Sequence, residues 1–196
     1  VLQRGREAEP DAVDALVPRA EQGVVGVGQL GADEHEIGRD ATLLLHIDDD
    51  LVAIDKPAGL VVHPAAGNWS GTLLNALLAH HAAAATLPRA GIVHRLDKDT
   101  TGLLIVARND AARDRLTAAL TARAIHREYQ AVCVGVMTSG GTVDAPIDRH
   151  PVDRVRMSVR SSGRDAVTHY RVIERFRRHT WVRVMLETGR THQIRL

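Results

Sequence analysis

The apolar residues of this chain come in short blocks, and that limits what it can fold into. Leu43–Ile47, Leu51–Ile54, Leu60–Val62 and Leu103–Ala107 are each about a strand long and are separated by Pro, Gly and charged residues. No uncharged apolar run approaches the ~18 residues a membrane-spanning helix needs. With aromatics at only 3% of 196 residues, the core has to come from Leu, Val, Ile and Ala. That length suits one domain, or one domain with a tail. The start, Val1-Leu-Gln-Arg-Gly-Arg, lacks the basic segment and apolar core of a signal peptide. The single Cys133 excludes an internal disulfide or a Cys-rich zinc site and suits a reducing cytoplasm.

Strands and helices can be placed by period. Leu51–Ile54 runs into Asp55-Lys-Pro-Ala-Gly, a loop marked by Pro57 and Gly59, and Leu60-Val-Val-His resumes an extended segment. From Thr72 to about Ala84, Leu73, Leu74, Leu77 and Leu78 recur at helical spacing behind a capping Thr72. Leu103–Ala107 reads as a buried strand, and Asp110 to about Arg123 as an amphipathic helix. Tyr129–Val134, Ala166–Phe176 and Thr180–Thr188 read as strands, the last two joined as a hairpin by Arg177-Arg-His-Thr. Val182, Val184 and Leu186 would share one face. Residues 1–40 are acidic and Gly-rich with no sustained period, an expected poorly ordered tail or remnant in which only Asp11–Ala20 suggests a short helix.

The net charge of +1 conceals a gradient. Residues 1–50 carry 4 basic and 12 acidic side chains, whereas residues 91–196 carry 19 and 11. A basic C-terminal portion fits contact with nucleic acid, and fits equally a solvated surface whose charges average out in the fold.

Three clusters could carry chemistry. Gly91-Ile-Val-His-Arg-Leu-Asp-Lys-Asp-Thr-Thr-Gly places His94, Arg95, Asp97, Lys98 and Asp99 in a loop opening onto a buried strand, with Thr100 and Thr101 to cap the turn and Gly102 to allow close packing. A carboxylate held there by loop amides can act as nucleophile or base. Taken alone, the cluster reads more simply as a polar turn with Asp97 or Asp99 capping it. Arg127-Glu-Tyr-Gln puts Tyr129 at a strand start, facing a cleft or packing in the core. Glu187-Thr-Gly-Arg-Thr-His-Gln-Ile-Arg places Arg190, His192 and Arg195 after the last strand, as anion-binding groups or as a basic surface turn. The 11 His show no metal-binding spacing, and no dinucleotide fingerprint, phosphate-binding Gly-Lys-Ser/Thr loop or Ser nucleophile elbow occurs.

In order, these segments resemble the RluA/RluD-type pseudouridine synthases. Asp55-Lys-Pro-Ala-Gly-Leu-Val-Val-His-Pro is similar to the family's first motif, Gly91–Arg108 to its second, Arg127-Glu-Tyr to its Tyr-bearing motif and Glu187–Arg195 to its third. Arg156-Met-Ser-Val and Ala166-Val-Thr-His-Tyr also look familial. The resemblance runs collinearly from about residue 50 to 196. It implies an α+β fold with a mixed, mainly antiparallel central sheet flanked by helices. Residues 41–196 are then the catalytic domain, expected to be cut short at its C-terminal end.

The resemblance further implies an isomerase that converts uridine in RNA to pseudouridine without metal or organic cofactor. The expected partner is ribosomal RNA of the large subunit, with transfer RNA as a further possibility. Asp97 matches the catalytic aspartate. Tyr129 matches the residue that packs on the target base and helps remove its C5 proton, and Arg195 the basic partner that keeps Asp97 ionised. Arg95 matches the residue that fills the gap left by the flipped nucleotide, and His94, Arg190 and His192 are expected at the RNA. The alternative is a chain that binds RNA through its basic face but lacks a competent site.

Overall fold

The computed structural model describes residues 43–196; the tail expected over residues 1–40, with its short helix, lies outside them. Every strand pairing among the described residues is antiparallel, and with two α-helices the class is α+β. The strands divide into a three-stranded sheet, a four-stranded sheet and a two-stranded ribbon.

The first sheet has the order β1 (Leu44–Ile47), β2 (Leu51–Lys56), β3 (Gly102–Ala107). Asp48 closes the β1–β2 turn, its Oδ1 accepting the N–H groups of Asp50 and Leu51, both at 2.8 Å. Both faces of β2 and β3 are covered, so Leu51–Ile54 and Leu103–Ala107 are continuously apolar rather than alternating. Leu51, Ile105 and Ala107 meet Ala112 and Leu116 of α2 (Asp110–Thr121). On the other face Val52, Ile54, Leu104 and Val106 pack with Leu60, Val62, Leu73, Ile92 and Leu96.

The second sheet has the order β4 (Glu128–Val134), β9 (His179–Leu186), β8 (Val167–Arg175), β5 (Gly141–Asp144). Val182 and Val184 of β9 are buried and Arg183 and Met185 exposed, the alternation expected of a one-sided sheet. Between β5 and β8, β6 (Ile147–Arg149) and β7 (Met157–Val159) form the ribbon. These three short strands carry too little apolar pattern to be read from sequence.

Two expected elements are corrected. Leu60–His63 is not a strand: the Val61 and Val62 carbonyls accept the N–H groups of Leu73 and Leu74 at 2.9 and 3.1 Å, satisfying the start of α1 (Leu73–His80). That helix is capped by Thr72 in a reciprocal box with Asn75 and stops at His80, where Ala82–Thr86 continues as a 3-10 turn. Gly102, expected to allow close packing, meets nothing within 4 Å of a Cβ; its φ of +111° is what demands glycine.

Close approach occurs instead at Gly91. Its φ is +81°, and a Cβ there would collide with the Ala107 carbonyl oxygen. The chain therefore runs against the end of β3, Ile92 bridges to Val106, and the loop carrying His94–Asp99 starts from a fixed point. His94 holds that loop a second time. Its Nε2 accepts the Ile105 N–H of β3 at 3.0 Å, which requires the neutral ring. Burial, with Arg127 adding to it, pushes the imidazole down to about 4.

Two outcomes are expected. Gly91→Ala costs at least about 2–3 kcal/mol, because positive φ and a backbone clash coincide, and lowers the urea midpoint at unchanged slope. For His94, the unfolded chain takes up a proton near pH 6.5 while the folded ring resists to about pH 4. Its contribution is therefore complete above pH 6.5 and is lost as pH falls toward 4, up to roughly 3 kcal/mol. Urea titrations from pH 7 to 4 on wild type and His94→Gln, which keeps an acceptor, should diverge only in that window.

Candidate active site

The Asp97 loop is stitched to the loop after β2 by a buried ammonium. Lys56 ends β2 with its side chain fully buried, and its Nζ donates to the carbonyls of Pro57 (2.8 Å), Leu60 (3.0 Å) and Lys98 (2.9 Å). These three bonds use all three donors of the ammonium. The Lys98 carbonyl also accepts the Gly59 N–H at 2.9 Å. Burial pushes Lys56 down to about 8, with Asp99 and Asp97 pulling the other way, so it remains charged at neutral pH. One residue before Lys98, the Asp97 carbonyl accepts the Thr100 N–H at 3.1 Å, closing a tight turn, and the buried Leu96 anchors its other side.

Facing this turn, Arg195 Nη2 stands 3.2 Å from Asp97 Oδ2, and the two side chains are 51% and 19% exposed. A carboxylate this enclosed, with a cation on one oxygen, is held ready to act on a bound group while its partner still reaches solvent. Arg195 belongs to the 3-10 turn Gln193–Arg195, entered through His192 in the left-handed region at φ 60°. Tyr129 reaches the site from β4 and packs against the apolar cluster beneath it. Burial pushes its phenol up, with Arg127 opposing and Asp97 adding to the rise. The ring is therefore suited to packing rather than to action as a phenolate.

The seven side chains singled out in the sequence, His94, Arg95, Asp97, Tyr129, Arg190, His192 and Arg195, all line one cleft of about 460 Å³. They are not equivalent there. Arg95 is exposed at the rim. His94 has one nitrogen committed to β3. Arg190 donates through Nε to the Asp165 carbonyl at 2.9 Å, which leaves its terminal nitrogens to the cleft. His192 is lowered by burial, against the pull of Asp97 and with Arg195 and Arg95 adding to the effect, and so favours its neutral form.

Sequence reasoning missed three residues that build the site. Lys56 could have been found, as a lone cation closing a strand that opens with four apolar residues. Arg127 also lines the cleft and donates through Nη2 to the Glu187 carbonyl at 2.9 Å; its place two residues before Tyr129 was the available signal. Gln193 opens the Arg195 turn and is buried; its place inside the Thr-Gly-Arg-Thr-His-Gln-Ile-Arg motif was the available signal. Among the described residues no three His, Cys, Asp or Glu side chains come together as metal ligands would.

The chain is similar to known proteins in sequence and in fold. Residues 50–196 match the sequence model of a family described as RNA pseudouridylate synthase. The chain is 59% identical over 168 residues to the ribosomal large subunit pseudouridine synthase D of Xanthomonas campestris, covering 85% of this chain and 51% of that protein. It is 61% identical over 153 residues to the protein of the same name from Pseudomonas aeruginosa, covering 78% and 48%. The chain thus spans about half the length of the curated relatives it matches. Among solved structures, human RNA pseudouridylate synthase domain containing 4 superposes with a TM-score of 0.64 at 27% identity, over 83% of this chain and 66% of that one. Human RNA pseudouridylate synthase domain containing 1 shares the fold, with a TM-score of 0.61 at 23% identity over 78% and 62%. With three-quarters of its length matched by the family's sequence model and its motifs folded around one cleft, the chain belongs to the RNA pseudouridylate synthase family.

Proposed function

We propose that this chain isomerises uridine in RNA to pseudouridine, with large-subunit ribosomal RNA as substrate and Asp97 as the catalytic group. The observation that carries the reading is the enclosed Asp97–Arg195 pair, beside Tyr129 on the wall of a single cleft. The names of the relatives support the substrate class.

The chemistry needs little more than these groups. The bond from ribose C1′ to uracil N1 breaks, the base turns, and C1′ joins C5. The C5 proton is lost and N1 gains one, so product and reactant have the same composition. No leaving group departs, and one carboxylate acting at C1′ can suffice where glycoside hydrolysis uses two. Arg195, 3.2 Å from Asp97 Oδ2, orients the carboxylate. Tyr129, kept neutral, offers a ring face to the uracil and limits where it can turn.

A base paired in a helix cannot reach Asp97, so the target nucleotide must leave its stack. Arg95 at the rim is placed to take up the space it vacates. Arg190 and His192 supply donors to backbone or sugar, giving affinity that falls with salt and depends little on sequence.

The test uses ribosomal RNA prepared without modifications, incubated with the chain and mapped for pseudouridine by carbodiimide-blocked primer extension. Wild type should modify discrete uridines. Asp97→Asn should lower turnover by about 10³-fold or more while RNA affinity stays within about twofold. Salt-sensitive RNA binding without any pseudouridine would instead establish the binding-only reading and sink this one.

A further inference from the structure

We propose that Gln193 is the positioning residue that sets Arg195 on Asp97. The inference rests on the reading of that pair as the reacting centre. Gln193 is 8% exposed, and its side-chain amide has every hydrogen-bonding position filled. Gln193 Oε1 accepts the Thr188 hydroxyl at 3.1 Å and the Arg190 N–H at 2.9 Å. Its Nε2 donates to the Val167 carbonyl at 3.1 Å and to Thr168 Oγ1 at 2.9 Å.

These partners admit one orientation. The Arg190 N–H can only donate and the Val167 carbonyl can only accept, so a flipped amide would set donor against donor and acceptor against acceptor. The amide therefore registers the chain after β9 against the first residues of β8. Thr188 extends the lock by accepting the Val167 N–H at 2.9 Å while donating to Gln193.

The consequence falls two residues on. The Arg195 N–H donates to the His192 carbonyl at 2.9 Å, so the direction of the Arg195 side chain is set by the turn that Gln193 holds down. Among the described residues Asp97 is the only ion-pair partner of Arg195, which is half exposed. Few other contacts would correct a tilt of the turn, and a displacement of about 1 Å at such a pair can cost up to 10²-fold in rate.

A residue that merely stabilises the fold would lower melting temperature without touching the chemistry, so the test separates the two. Gln193→Glu keeps shape and acceptor but loses the Nε2 donor. Thr168→Val removes one acceptor and is the milder change. Each is made in the full chain, alone and together with Arg195→Ala, and assayed for pseudouridine formation.

Gln193→Glu should lower kcat by about tenfold or more with KM within about twofold. In the Arg195→Ala background it should add less than about twofold, since the group it positions is gone. Effects that multiply across the two backgrounds, or a rise in KM at unchanged kcat, would overturn the proposal. If Gln193→Glu loses its cooperative melt, Thr168→Val is judged by the same split and the same background test. A readout free of turnover is the Arg195 Nε–H resonance in labelled protein. It should move in Gln193→Glu toward its position in Asp97→Asn, and an unmoved resonance overturns the inference. A wild type that makes no pseudouridine counts against the proposed function, while this resonance still decides the role of Gln193.

Discussion

The Lys56 ammonium is the constraint from which the site is built. Burying a charge costs several kcal/mol unless its hydrogen-bonding capacity is filled, and here three carbonyls fill it with no carboxylate in direct contact. Those carbonyls come from the loop that leaves β2 and the loop that leads into β3, so the ammonium exists in this form only when both loops are in place. The arrangement is also asymmetric in its failure. Without the lysine, the Pro57 and Leu60 carbonyls would face the interior unpaired, and the turn bearing Asp97 would lose its tie to β2.

Around that tie the two sheets divide the work. The three-stranded sheet, covered on both faces, supplies a rigid base for Asp97 through Lys56, Gly91 and the His94–Ile105 bond. The four-stranded sheet supplies the groups that face it, Tyr129 at the start of β4 and Arg195 just past β9. The Asp97–Arg195 pair spans from one to the other. The carboxylate is the more enclosed partner and the guanidinium the more exposed one. This suits a group that must be fixed facing a group that can also meet a ligand.

Legibility in the sequence followed how local each cause was. The helix behind Thr72 was readable because its cap, box partner and leucine spacing lie within one short segment. The strands β2, β3, β4, β8 and β9 were readable because burial imprints either a continuous or an alternating apolar pattern. Leu60–His63 misled because apolar residues at strand-like spacing can serve a buried loop equally well, with carbonyls going to a helix terminus instead of a neighbouring strand. The end of α2 was also obscure. Arg123 adopts φ 58° there without the glycine that usually announces a helix stop. The ribbon of β6 and β7 was missed because its strands are too short to show a period.

For the site, the sequence by itself determined the chemical inventory: one prominent aspartate in a polar loop, a tyrosine opening a strand, and arginines and a histidine after the last strand, in an order that matches a family. Types and order are written in the chain and need no fold to be read. Only the tertiary structure decided that these residues line one cleft, that Arg195 of all the arginines meets Asp97, and that Lys56 and Gln193 hold the two sides in register. Hydrogen bonds and ion pairs act over about 3 Å whatever the separation along the chain. A contact between residues nearly a hundred positions apart therefore leaves no local pattern, and the fold alone makes it.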